Sequence, residues 1–137
     1  MPRGSGIFGM AVARAAEAML RALGGAQISL VFPLLQMPDD PTAELGLMDP
    51  GVEEVVLCPV IARELATPGS GPRRRLEFTV PGTAVQAEMV ERNVATADVL
   101  FDAVLGVMYG GDLLHIESVT PEYFAGTPYL YLVVAVE

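Results

Sequence analysis

The side chains able to do chemistry are few and scattered: one histidine, His115, and one cysteine, Cys58, in 137 residues. A transition-metal site needs three or four His, Cys or carboxylate ligands held together. These two fall in different expected strands, so no metal site is expected. Cys58 stands among Val55, Val56, Leu57, Val60 and Ile61 with no basic neighbour to activate it, and reads as an inert core thiol. His115 shares a strand face with Leu113 and Glu117. A His–carboxylate pair can serve as a general base; the plainer reading is a half-exposed structural histidine. Asp39 and Asp40 are adjacent carboxylates in a proline-rich stretch, without the burial that would divide acid and base roles between them, and read as a solvated acidic tip. Ser5, Ser29, Ser70 and Ser118 lack the Gly-x-Ser-x-Gly context of a nucleophile elbow. Gly4, Gly6 and Gly9 precede a helix but follow no strand, as a dinucleotide loop requires. There is no lysine, which excludes a Walker phosphate loop and Schiff-base chemistry. Neither a catalytic residue nor a cofactor is expected.

Charge narrows the partners. Seventeen acidic residues face eight basic ones, all arginine, for a net charge of −9. Nucleic-acid binding of the ordinary kind needs a basic surface, so DNA is not gripped. The single basic cluster is Arg73, Arg74 and Arg75, for which three readings stand: a docking point for an acidic protein surface, a phosphate contact, or charges that blunt an edge strand against aggregation. A mean hydropathy of +0.45 with 52% hydrophobic residues suggests apolar surface buried between subunits. No window supplies the roughly 20 apolar residues of a membrane helix. Arg14, Glu17 and Arg21 interrupt the first apolar run where a signal sequence would continue it, so the expected compartment is the cytoplasm.

These residues must be positioned by a single domain, 1–137, since the length supports one core. A helix is expected over 7–23, with Phe8, Val12, Ala16, Met19 and Leu23 on one stripe and Glu17 placed to pair with Arg21; Gly24 and Gly25 stop it. Period-two alternation then predicts strands at 26–32, at 54–62 with Pro59 at an edge or bulge, and at 75–80, followed after Pro81 and Gly82 by a strand from Thr83 to Val90. Residues 96–102 fit either a short helical turn capped by Thr96, the favoured reading, or a segment leading straight into the next strand. A C-terminal β-meander over 103–136 follows: strand 103–109, a Gly110-Gly111-Asp112 turn, strand 113–119, a loop at 120–127 and strand 128–136. The fold class is mainly β with an N-terminal α-helix, a small barrel or sandwich of about six strands.

The long connection at 36–53 combines acidic residues and prolines with Met37, Leu45, Leu47 and Met48. Loops of this length are usually functional or disordered. Read as an interaction arm, it makes Met37, Asp39, Asp40, Leu45, Leu47 and Met48, with Arg73, Arg74 and Arg75, the candidate interface; read as a linker, its apolar residues have no special role.

The stretch VMYGGDLLHIESVTP from Val107 to Pro121, with GTPYLYLVVAVE from Gly126 to Glu137, resembles the closing strands of the head-closure and head–tail connector proteins of tailed bacteriophages. Pro59, Ile61 and Ala62 extend the likeness to an earlier strand. The resemblance implies a small β-barrel in a homo-oligomeric ring of six or twelve copies at the head–tail junction of the virion, assembled in the host cytoplasm. It would contact a portal or adaptor protein on one side and tail proteins on the other, with residues 36–53 reaching toward the adjoining ring. DNA would pass nearby without specific binding, repelled by acidic residues lining the channel. A helix followed by a strand also suits a tail terminator, and outside that class stands a monomeric small-molecule-binding β-barrel.

Overall fold

The computed structural model describes residues 3–34, 51–65 and 73–137. In chain order these form α1 (Arg3–Ala22), β1 (Ala26–Pro33), β2 (Val52–Leu65), β3 (Arg75–Pro81), α2 (Gly82–Glu91), α3 (Ala97–Asp102), β4 (Gly106–Tyr109), β5 (Asp112–Phe124) and β6 (Thr127–Val136). The six strands are antiparallel and close into a barrel in the order β1-β2-β3-β6-β5-β4, with β4 returning to β1 through the pairs Ser29 with Met108 and Val31 with Gly106.

Alternation explains the interior. Ile28, Leu30 and Phe32 of β1, Leu76, Phe78 and Val80 of β3, and Tyr131, Val133 and Ala135 of β6 all point inward and are buried. Phe78 meets Tyr109 edge-on at 5.2 Å between centroids, a preferred aromatic geometry. The barrel axis is thus filled by side chains. Opposite them, Arg75, Glu77 and Thr79 of β3 face outward, and Arg63 pairs across the strands with Glu77 at 2.9 Å.

The helix α1 lies on the outside of the barrel, chiefly against β6. Its buried positions are Gly9, Ala13 and Leu20, whereas Met19 and Leu23 are exposed. The expected stripe is therefore rotated: Gly9 and Ala13 let the helix approach the sheet and Leu20 is buried with them, Val12 and Ala16 are half-buried, and Met10, Met19 and Leu23 turn away. Glu17 and Arg21 form the expected pair, at 3.8 Å.

Residues 83–90 are helical, correcting the expected strand. Val85, Ala87 and Met89 fit a two-residue period, but Val85 and Met89 also fit a helical one, and Ala84, Gln86, Ala87 and Glu88 are strong helix formers. The helix α2 starts where Gly82 passes so close to the Pro128 carbonyl that no side chain could be accommodated. Arg92, just past its end, lays its guanidinium 3.5 Å from the centre of the Phe32 ring while reaching Glu53 at 3.0 Å and Glu88 at 3.6 Å. The next helix, α3, is capped as expected: the Thr96 hydroxyl accepts from the Val99 amide at 3.2 Å.

The expected turn at Gly110 and Gly111 is present, both residues at positive φ (59° and 87°) as a tight two-residue hairpin requires. The strand before it is shorter than expected, because Ala103 and Val104 still close the end of α3, their amides donating to the Leu100 and Phe101 carbonyls at 3.2 and 3.1 Å, and only at Leu105 does the chain reach β1, its amide donating to the Val31 carbonyl at 2.7 Å. The expected loop at 120–127 is instead the outer part of the β5–β6 hairpin, turning at Ala125 and Gly126. Pro121 is tolerated because β4 pairs with β5 only as far as Leu114, so beyond it β5 has β6 alone beside it among the described residues.

Candidate assembly surfaces

The antiparallel barrel has two rims with different chemistry. One carries the ends of β1, β3 and β5, the starts of β2, β4 and β6, and both short helices. The other carries the β4–β5 turn, the end of β2, the start of β3 and the C-terminal strand end.

Of the candidate interface residues, the structure describes Arg73, Arg74 and Arg75. Met37, Asp39, Asp40, Leu45, Leu47 and Met48 lie outside the described residues. The feet of their segment are well placed: Pro33 pairs with Val52, and the Leu34 amide donates to the Gly51 carbonyl at 3.0 Å. The segment therefore leaves and re-enters at the first rim, and β2 begins at Val52, inside the stretch expected to be loop.

Arg73, Arg74 and Arg75 belong to the opposite rim. Arg74 donates to Asp112 at 3.0 Å, and Arg75 holds both oxygens of Glu117 at 2.8 and 3.0 Å. Glu117 is free to turn this way because it is the extra residue of a β-bulge between the pairs Ile116 with Ala135 and Ser118 with Val134. The imagined His115–Glu117 pair is thereby pre-empted. The edge-strand reading of the cluster is corrected too, since β3 lies between β2 and β6. Arg73 is exposed.

Cys58 is exposed rather than a core thiol. A bulge sets three residues of β1 (Ala26 to Ile28) against four of β2 (Leu57 to Val60), burying Leu57, Pro59 and Val60 and leaving Cys58 exposed. This agrees with the expected bulge at Pro59. Among the described residues, no group of three or more His, Cys, Asp or Glu could hold a metal ion, and no helix is long and apolar enough to cross a membrane.

The first rim carries exposed apolar residues passed over in the sequence reading, beside the exposed carboxylates of Glu53, Glu54, Glu91, Asp98 and Asp102. Leu34, Val52, Val90, Val99, Tyr123 and Phe124 are all about half exposed or more, Tyr123 reaching 63%. Met10 joins them from α1, lining a groove of about 310 Å³ with Thr127 and Pro128 at the start of β6. The aromatic pair before Ala125 and Gly126 was the available signal, and reading 120–127 as a loop hid it. Behind the hairpin, Tyr131 is buried, and burial, followed by the nearby Tyr123 and Asp98, raises its pKa above the ordinary phenol value.

The side of the barrel has an opening. Where β4 parts from β5, a groove of about 480 Å³ lies between α3 and the chain after it on one side and residues 115–119 of β5 on the other. Asp98 and Asp102 stand one helical turn apart along it.

Together these features define a small, closed six-stranded β-barrel with an external helix, one rim where exposed apolar side chains stand among carboxylates, called here the apolar rim, and one rim of paired charges, the polar rim. Comparison with protein-family models, curated proteins and solved structures gives no match.

Proposed function

We propose that this chain is a structural subunit of the neck of a tailed bacteriophage, a ring-forming head-closure or head–tail connector protein that joins the portal side to the tail through protein–protein contacts. The observation that carries this reading is the apolar rim. Half-exposed aliphatic and aromatic side chains gathered at one end of a barrel make a surface suited to burial against the next copy in a ring and against an adjoining protein. The 35–50 segment springs from the same rim, between Leu34 and Gly51, where an arm toward an adjoining ring is wanted. The polar rim, with its internally paired arginines, offers a chemically different face for the other neighbour. The resemblance of residues 107–121 and 126–137 to the closing strands of this family supports the same reading. A filled barrel axis speaks for it over an enclosed ligand chamber.

The test is the mass of the purified protein by light scattering, with negative-stain imaging of the protein and of intact particles. A ring of six or twelve copies, or a disc at the head–tail junction, supports the reading. Absence from every purified particle would sink it.

A further inference from the structure

Among the described residues two strand edges lack a second partner: β2 before Ile61, which faces a groove lined by Glu88, Glu91 and Arg92, and β5 beyond Leu114, where carboxylates without an ion-pair partner stand beside apolar side chains. Past Leu114 the pairing of β5 is with β6 alone among the described residues, and residues His115 to Val119 line the groove beside α3. An unpaired edge is a template for another strand. The span is short because the Glu117 bulge, Pro121 and a second register shift at Glu122 and Tyr123 interrupt it. Such breaks discourage open-ended sheet stacking while leaving room for a few residues of a guest.

Charge selects the guest. Glu117 is neutralised by Arg75, and His115 is the groove's only basic lining residue, whereas Asp98 and Asp102 have no basic partner among the described residues. Phe101, Val104 and Ile116 supply apolar surface between the charges. The chain's own segments fit this poorly. Residues 35–50 carry Asp39, Asp40, Glu44 and Asp49 and no basic residue, and 66–72 contain two prolines. A second copy brings a net charge of −9, and two residues of its arginine cluster, Arg74 and Arg75, are already paired.

We propose that the β5 edge from His115 to Thr120 accepts a short extended segment of a different protein, with apolar and cationic residues alternating, the cations reaching Asp98 and Asp102. This rests on the assembly reading above and names a partner chemistry for it.

The probe is the peptide acetyl-Arg-Val-Lys-Val-Arg-Val-Lys-amide, titrated into the full-length chain and followed by fluorescence anisotropy and by amide hydrogen exchange. The expected result has three parts: saturable binding, new protection of amides within residues 115–120, and affinity about tenfold weaker in the double variant Asp98→Asn, Asp102→Asn, the loss of one or two charge-assisted contacts. Backbone N-methylation at alternate peptide residues should abolish binding. The proposal is overturned by no binding, by binding that leaves unprotected the amides of this stretch that point away from β6, by equal binding of the peptide with glutamate at every cationic position, or by those outward amides being already protected in the free chain, which would mean that this chain or a second copy fills the edge. Light scattering on the same sample separates the two readings, since a ring that forms while the peptide does not bind removes only this partner.

Discussion

The two rims of the barrel are built from the same strands and differ in what they do with their side chains. At the rim of Arg74 and Arg75 the charges find partners within the chain, and the turn at Gly110 and Gly111 keeps the chain short and polar. At the rim of α2, α3 and the β5–β6 turn, the interior is sealed by Arg92 over Phe32, yet Tyr123, Phe124, Leu34 and Val52 remain exposed around the seal. The first arrangement satisfies itself. The second leaves apolar surface unsatisfied, which costs solubility and is sustained where a partner covers it.

That contrast can be broken or sharpened by substitution, beginning with what both rims share. Phe78 is fully buried between them, and Phe78→Ala is expected to cost about 3–5 kcal/mol in denaturant unfolding. Arg92→Ala should cost less, about 1–2 kcal/mol, by removing the cation–π contact and two partly exposed ion pairs that seal the apolar rim. Thr96→Ala, which deprives α3 of its cap, should cost about 1 kcal/mol in the same measurement. At the polar rim, Arg74→Ala and Arg75→Ala should each cost under about 1 kcal/mol, with the difference shrinking in high salt, because these pairs are solvent-exposed. A seal worth no more than the surface pairs would erase the distinction between the rims.

The smallest effect is separated by its direction with pH. The pKa of Tyr131 is raised in the folded chain, so the neutral phenol is favoured there relative to the unfolded chain. Its contribution is complete below the unfolded phenol value near 10 and is lost as pH rises through the folded value. Unfolding free energies measured from pH 9 upward should therefore fall, and Tyr131→Phe should flatten that fall.

Much of this was legible in the sequence where local chemistry decides the backbone. The Thr96 cap, the stop at Gly24 and Gly25, the glycine turn at 110–111 and the bulge at Pro59 each follow from one or two residues. The reading went astray where tertiary placement decides. Residues 83–90 satisfy both periods in their apolar positions, and docking across the barrel end resolves them as a helix. Pro121 looks like a loop signal until it is known that β5 has lost its β4 neighbour. Cys58 and the rotated stripe of α1 have the same cause, since composition alone does not say which of two apolar faces the barrel covers. For the candidate surfaces, the arginine cluster was visible, but its engagement with Asp112 and Glu117 spans 38 and 42 residues of chain and needs the β3-β6-β5 order.

The central claim is that the apolar rim is an assembly surface, and the most direct measurement compares oligomer mass for two double variants by light scattering. In the proposed ring, with copies meeting through this rim, Tyr123→Asp with Phe124→Asp should leave folding stability within about 0.5 kcal/mol, as exposed positions allow, and reduce the mass to that of a monomer. Arg73→Ser with Arg74→Ser at the polar rim should leave the mass of the ring unchanged. A ring that survives the first pair and is lost with the second would contradict the account.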